Sequence, residues 1–198
     1  MGEMGMIKLA LPALAAALVL STAADADYAH APILRDLVAS KLRQIAQDPS
    51  IVSAIAAQNL ETASLTQADI DKLDKEWRAE TKTADKPLIA KIEGRPVSAY
   101  LANTVQQGHG LITEIIVMDD KGLNVGVSST TSDYWQGDED KWAKTFEVGP
   151  DAIFVDDIER DESTQMLQAQ VSFTIVDPAT HAAIGAITFG INMDQVNG

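Results

Sequence analysis

The hydrophobic pattern along the chain changes its period once, near Gly108. Before that point apolar residues recur at three-and-four spacing. Ile33, Leu34, Leu37, Val38, Leu42 and Ile45 form one stripe between Ala31 and Gln47, the signature of an amphipathic helix. Asp48 followed by Pro49 reads as an N-cap with proline in the first turn, opening a second helix, or a continuation across a kink, through Ile51, Ile55 and Leu60. Thr66 and Asp69 form a shortened capping box. Ile70, Leu73 and Trp77 then line one face of a helix to about Glu80. Acidic Asp69, Asp71 and Asp74 suit the positive end of that helix. Shorter helices are expected over Pro87 to Ile92 and Pro96 to Gln107, separated by the Gly94-Arg95-Pro96 break.

After Gly108-His109-Gly110 the pattern turns to period two and β-branched runs. Ile112 to Met118 reads as a strand, Asp119-Asp120-Lys121-Gly122 as a tight turn, and Leu123 to Ser128 as the antiparallel partner. A polar aromatic stretch, Thr130 to Trp142, and a short helix to about Phe146 follow. Ala152 to Ile158, Met166 to Val176 and Ala183 to Asn192 supply three more strands. The last two are joined at Asp177-Pro178-Ala179-Thr180. The expected architecture is α+β: a long N-terminal helical layer on one face of a five-stranded antiparallel sheet, with a short helix between strands two and three.

Ahead of this lies a segment to be excluded from the fold. Lys8 precedes an apolar run of twelve residues, Leu9 to Leu20, interrupted by Pro12. A bilayer span needs about 20 residues, so this run is too short to cross. Ala24-Asp25-Ala26 fits the small-x-small rule for signal peptidase. We therefore expect residues 1–26 to be a signal peptide and the exported chain to start near Asp27, with 27–108 as the helical part and 109–198 as the sheet part of one domain. Export places the chain in the periplasm or outside the cell, with no membrane insertion after cleavage.

Without residues 1–26 the chain keeps 14 basic and 27 acidic residues, a net charge of −13. Such a balance disfavours nucleic acid and anionic lipid surfaces as partners. Cysteine is absent, which excludes disulfides, thiolate metal sites and cysteine nucleophiles. Histidine occurs only at His30, His109 and His181, without ligand spacing for zinc. No Asp-x-Asp-x-Asp-Gly loop with a distal glutamate marks a calcium site, although hard oxygen ligands are abundant. No nucleophile elbow or phosphate-cradling loop is present, so the reading is of a binding protein without cofactor.

The order of features from Ile115 to Asn192 resembles the Cache domain, the PAS-like sensing module found outside the membrane in bacterial chemoreceptors, histidine kinases and cyclases. The resemblance rests on Ile116 to Gly122, Val125 to Asp133, Asp138 to Trp142, Phe154 to Asp157, Val171 to Asp177 and Ile184-Gly185-Ala186-Ile187. It covers roughly 80 residues; the preceding helices match the family's long leading helix in outline. The chain looks like the stand-alone secreted members of the group. In the family, the loop and short helix after the first hairpin close over a pocket on the sheet. The resemblance thus implies Asp133, Tyr134, Trp135 and Trp142 at the rim or wall of a pocket.

Aromatic faces combined with carboxylates can hold an ammonium group. The bland alternative is that Trp135 and Trp142 close the core beneath a solvated acidic loop. A second acidic cluster, Asp156, Asp157, Glu159, Asp161 and Glu162, precedes Ser163-Thr164 at an expected turn. Residues 119–162 hold 13 carboxylates against four basic residues, which biases any ligand toward a cation, an amine or an amino-acid-like zwitterion. Asp157 therefore joins the candidate ligand residues. Gln168, Gln170, Ser172 and Thr174 alternate with apolar neighbours, giving strand four one polar face. Gln170 and Ser172 are candidates because PAS-like sheets contact ligands through the face opposite the helix. The expected function is capture of a small ligand for a membrane partner: a sensor kinase, cyclase, chemoreceptor or transporter. The alternative is a protein-interaction module that holds no small molecule.

Overall fold

The computed structural model describes residues 28–160 and 166–196, together with Met1. The expected signal peptide, its cleavage site, and Asp161, Glu162, Ser163 and Thr164 lie outside the described residues. The first helical stripe forms α1 (Ala31–Leu37), one π-helical stretch (Val38–Leu42) and α2 (Arg43–Ala46). The π segment is a departure from the expected uniform helix. Leu34, Val38 and Leu42, spaced by four, are all fully buried across it.

Asp48 caps α3 (Pro49–Thr62), its Oδ1 accepting from the Ser50 N–H at 2.9 Å. These contacts hold the Asp48 carboxyl below the usual carboxylate range; the Ser50 hydroxyl is the larger cause and its backbone N–H the next. The capping box of α4 (Gln67–Glu80) forms as expected: Thr66 Oγ1 accepts from the Asp69 N–H at 3.3 Å and Asp69 Oδ2 accepts from the Thr66 N–H at 2.9 Å. At the far end of α4, the Glu80 carboxylate accepts the N–H groups of Leu88 and Ile89 at 3.0 and 2.9 Å. It thus satisfies orphan donors in the first turn of α5 (Pro87–Glu93). The last long helix, α6 (Pro96–Gln107), stops at Gly108.

The strands are β1 (Ile112–Met118), β2 (Asn124–Val127), β3 (Ile153–Arg160), β4 (Leu167–Val176) and β5 (Ala183–Asn192). They form one antiparallel sheet in the order β2-β1-β5-β4-β3. The short helix α7 (Asp140–Ala143) lies between β2 and β3, and α8 (Met193–Val196) ends the described chain. This is the PAS-like α+β architecture that the sequence resemblance implies. Two glycines permit the central connections. Gly122 takes φ +80° in the β1–β2 turn, and a side chain at Gly185 would run into the Met118 carbonyl on the neighbouring strand.

Alternation along the strands separates two cores. On the first face Ile115, Val117, Val171, Phe173, Ile187 and Phe189 pack against Leu34, Val38, Leu42, Ile51, Ile55 and Leu101. The helices are not confined to that face, as the pattern alone suggests. Ile116, Met118 and Ala186 point the other way and join Ile70 and Trp77 of α4, Ile89 and Ile92 of α5, and Tyr134 and Trp142 of the following loop. Trp77 is the largest fully buried side chain in this second core.

Both sheet edges are engaged by side chains, which blunts them as templates for further pairing. On β2, Val125 O accepts from Arg95 Nη1 at 2.8 Å and the Val127 N–H donates to Ser98 Oγ at 3.1 Å. On β3, Ile153 O accepts from Arg35 Nη1 at 3.3 Å and Asp156 O from His30 Nε2 at 2.8 Å. Among the described residues no helix is long and apolar enough to cross a membrane.

Candidate functional site

The β1–β2 turn is the anchor of the candidate site. Asp119, fully buried, uses both carboxylate oxygens. Oδ1 accepts the N–H groups of Lys121 and Leu123 at 2.9 and 2.8 Å. Oδ2 accepts Gln58 Nε2 and the Thr62 hydroxyl, both at 3.0 Å. A buried charge is tolerated only when hydrogen-bonded in this way. The turn is thereby tied to α3.

The aromatic loop that follows is pinned to the same turn. Trp135 Nε1 donates to Lys121 O at 2.8 Å and Trp142 Nε1 to Asp119 O at 3.1 Å. Asp74, on α4, accepts the backbone N–H groups of Tyr134 and Trp135 at 3.0 and 3.1 Å, and its other oxygen accepts from Arg78 Nε at 2.7 Å. Sequence reasoning assigned Asp74 to the helix dipole; its carboxylate instead clamps a loop 60 residues away in the chain. Asn124 Nδ2 reaches Thr131 Oγ1 and Asp133 O, and Trp77 Nε1 donates to Thr131 O at 2.8 Å.

These contacts place the residues proposed from sequence in two groups. Tyr134 is buried and stacks on Trp77 with ring centroids 5.4 Å apart; burial pushes its phenol up to about 12. Trp142 is also buried, stacked on Phe146. Asp133 Oδ1 meets Arg78 Nη1 at 3.0 Å, an ion pair whose geometry falls short of an aligned hydrogen bond. Ser172 is fully buried with its hydroxyl 2.8 Å from that of Thr188. Asp133, Tyr134, Trp135, Trp142 and Ser172 therefore make their contacts within the wall and sheet. Asp157 and Gln170 stand apart from them, in an open cleft.

The cleft, of about 870 Å³, lies between the segment leading into α7 and the polar face of β3 and β4. One side carries Asp138, Glu139, Asp140 and Lys141; the other carries Asp156, Asp157, Glu159 and Arg160, with Gln168 and Gln170 on β4. A β-bulge shapes the second side. Val155 pairs with Val171 and Ile158 with Ala169, so Asp156 and Asp157 together stand opposite Gln170. Bulges of this kind insert an extra residue and re-aim side chains. Here two consecutive carboxylates meet one amide.

Gln170 Nε2 donates to Glu114 Oε1 at 2.9 Å, and the amide of Gln168 reaches the same oxygen at 3.3 Å. Tethering the Gln170 nitrogen leaves its amide oxygen as what it offers to the cleft. Lys141, only 13% exposed in its side chain, is paired with Glu139 at 3.0 Å. Among the described residues six carboxylates thus face two basic residues. Among the described residues, too, the lining has no hydroxyl, thiol or imidazole, and no three histidine or acidic side chains converge closely enough to hold a metal ion. Such a surface accepts hydrogen bonds and attracts positive charge.

Sequence reasoning had both acidic clusters but not their juxtaposition. Nor did it place Gln168, Asp138, Glu139 or Lys141 in the cleft. The one available signal was the density of carboxylates over 119–162. His109 and His181 both take left-handed backbone, φ 50° and 58°, as expected of loop and turn positions.

No family model matches this chain, and no curated protein matches it significantly. Solved structures do. The ligand-binding domain of the Campylobacter jejuni chemoreceptor Tlp3, in complex with 4-methylisoleucine, aligns with 77% of this chain and 64% of its own, at 11% identity and a TM-score of 0.37. The E. coli DcuS sensor domain aligns with 64% of this chain and 93% of its own, at 18% identity and a TM-score of 0.37. The V. cholerae histidine kinase DctB sensor domain aligns with 85% of this chain and 59% of its own, at 9% identity and a TM-score of 0.34. This chain spans a little under two thirds of the length of the Tlp3 domain. The fold assignment itself stands on strand order and register.

Proposed function

We propose that this protein is an extracytoplasmic binding or sensing protein that captures a small cationic or zwitterionic ligand in the cleft between α7 and the β3 bulge. The observation that carries the reading is the chemistry of that cleft. Asp156, Asp157 and the Gln170 amide oxygen offer acceptors on one side. Asp138 offers a carboxylate on the other beside Asp140, which pairs with Lys144 at 3.1 Å, and Lys141 is already paired with Glu139. A primary amine or guanidinium would find charge-assisted hydrogen bonds. An isolated carboxylate would meet repulsion. The volume is in the range of small-molecule sites.

The aromatic loop supports the cleft indirectly. Its hydrogen bonds to Asp74, Lys121 and Asp119 hold the start of α7 in place, so Asp133, Tyr134, Trp135 and Trp142 act as the wall that positions Asp138 to Lys141. Ser172 supports the sheet behind Gln170 through Thr188. Ligand occupancy would be passed to a membrane partner, a sensor kinase, cyclase, chemoreceptor or transporter.

The test is a thermal-shift and calorimetric screen of the purified protein against diamines, guanidinium compounds and neutral amino acids, with dicarboxylates as controls. At least one cationic or zwitterionic compound raises the unfolding midpoint of the wild type. Asp157→Asn weakens that compound about tenfold while leaving the midpoint of the free protein unchanged. The reading fails if only dicarboxylates bind, or if Asp157→Asn leaves affinity unaltered.

A further inference from the structure

Away from the acidic cleft, a second concavity of about 310 Å³ runs between α3 and the junction of α5 and α6. Ser50, Ser53, Ala54, Ala57, Gln58 and Glu61 of α3 line one side, and Arg95, Pro96 and Val97 line the other. None of these residues belongs to the cleft already described, and the chemistry is different. Ala54, Ala57, Pro96 and Val97 give it an apolar stretch, flanked by Ser50, Ser53 and Glu61, with a single guanidinium set beside it.

The state of Arg95 is informative. Nη1 donates to Gln58 Oε1 and to Val125 O, the latter at 2.8 Å. Among the described residues the Nε and Nη2 hydrogens have no partner. Committing Nη1 fixes the plane of the group and leaves the Nε–Nη2 edge, one of the two forks with which a guanidinium takes a carboxylate bidentately. Gln58, almost fully buried, holds the guanidinium from behind and is itself bonded to Asp119. The fork is therefore pre-organised by a chain of hydrogen bonds that runs into the β1–β2 turn, which lowers the ordering cost of binding.

We propose that this groove is a second ligand site, for a carboxylate carried on a short aliphatic body. The carboxylate sits on the Nε–Nη2 edge of Arg95 and the aliphatic part lies along Ala54, Ala57 and Val97. Glu61 and the chain's net charge of −14 select against multiply charged anions. The same Glu61 can receive an ammonium, so a simple fatty acid and an amino acid are two sources of one chemistry.

The experiment is an NMR titration of the wild type with butyrate and, separately, with 2-aminobutyrate, following the Arg95 side-chain Nε–H resonance. That resonance shifts saturably with at least one of them. Ala57→Leu fills the groove from an exposed helix position, away from the bonds of Arg95. It weakens binding at least tenfold while the unfolding midpoint holds. Arg95→Lys, which keeps the charge and loses the fork, does the same to affinity. Tighter binding of 2-aminobutyrate that is lost in Glu61→Gln supports the amino-acid source; equal affinities support the simple carboxylate. Asp157→Asn leaves the titration unchanged, which separates this site from the cleft. The absence of a saturable shift in the wild type, or wild-type affinity in Ala57→Leu, overturns the proposal.

Discussion

The two faces of β5 carry neighbouring residues to opposite fates. Phe189 points to the first face, fully buried and stacked on Phe173 with centroids 5.9 Å apart. Thr188 points to the second face, equally buried, and its hydroxyl meets that of Ser172. The first face is held by shape and apolar area. The second is aromatic toward β1 and β2, and becomes polar toward β3 and β4 where the acidic cleft opens. The difference teaches that burial alone does not identify the face that packs a core: β4 is closed on both sides over Val171 to Thr174, yet only one side is apolar.

Substitutions at adjacent positions test that contrast most directly. Phe189→Ala removes a stacked ring from the first core and should cost about 3–5 kcal/mol in urea denaturation. That is a large part of the stability of an ordinary domain, about 5–15 kcal/mol. One residue earlier, Thr188→Ala should cost about 1 kcal/mol, since it removes one hydroxyl pair and little volume. Equal losses at the two positions would erase the distinction between the faces.

The smallest expected effect is electrostatic. Burial, and then the neighbouring Asp119 charge, raise the Asp120 carboxyl above its ordinary 3.8. One of its oxygens is buried without a hydrogen-bond partner. A raised acid binds its proton more readily in the folded state. Its charged form therefore opposes folding above the raised value, and stability is regained as pH falls through the window toward 3.8. Asp120→Asn should accordingly raise the unfolding midpoint at pH 7, with the gain over wild type vanishing below the unfolded value. A constant gain across that range would show that the charge is not its cause.

Much of the scaffold was legible from local signals. The bounds of β1 and β5, the Asp48 cap, the Thr66–Asp69 box and the Gly122 turn all follow from short-range rules, and each forms as read. The second core was not legible, because Trp77 announces burial without saying what it is buried against. Its partner Tyr134 lies far along the chain. The cleft escaped for a related reason. Its decisive element is one extra residue in β3, and a bulge leaves no mark on a hydrophobic pattern that merely slips by one position.

The aromatic loop was legible as a special segment, but composition could not tell a wall from a pocket lining. Only the directions of two indole N–H groups, toward Lys121 O and Asp119 O, decide what Trp135 and Trp142 hold. Arg95 shows the same limit. In the sequence it is part of a Gly-Arg-Pro break; in the fold it reaches Gln58, 37 positions away.

Those indoles have an optical consequence. The chain has three tryptophans, and Trp77, Trp135 and Trp142 all pack in or against the second core. The first face contains none. Tryptophan emission therefore views one side of the sheet only. A rearrangement of the loop over the cleft would change tryptophan fluorescence without any label, while loosening of the helices on the far side would pass unseen.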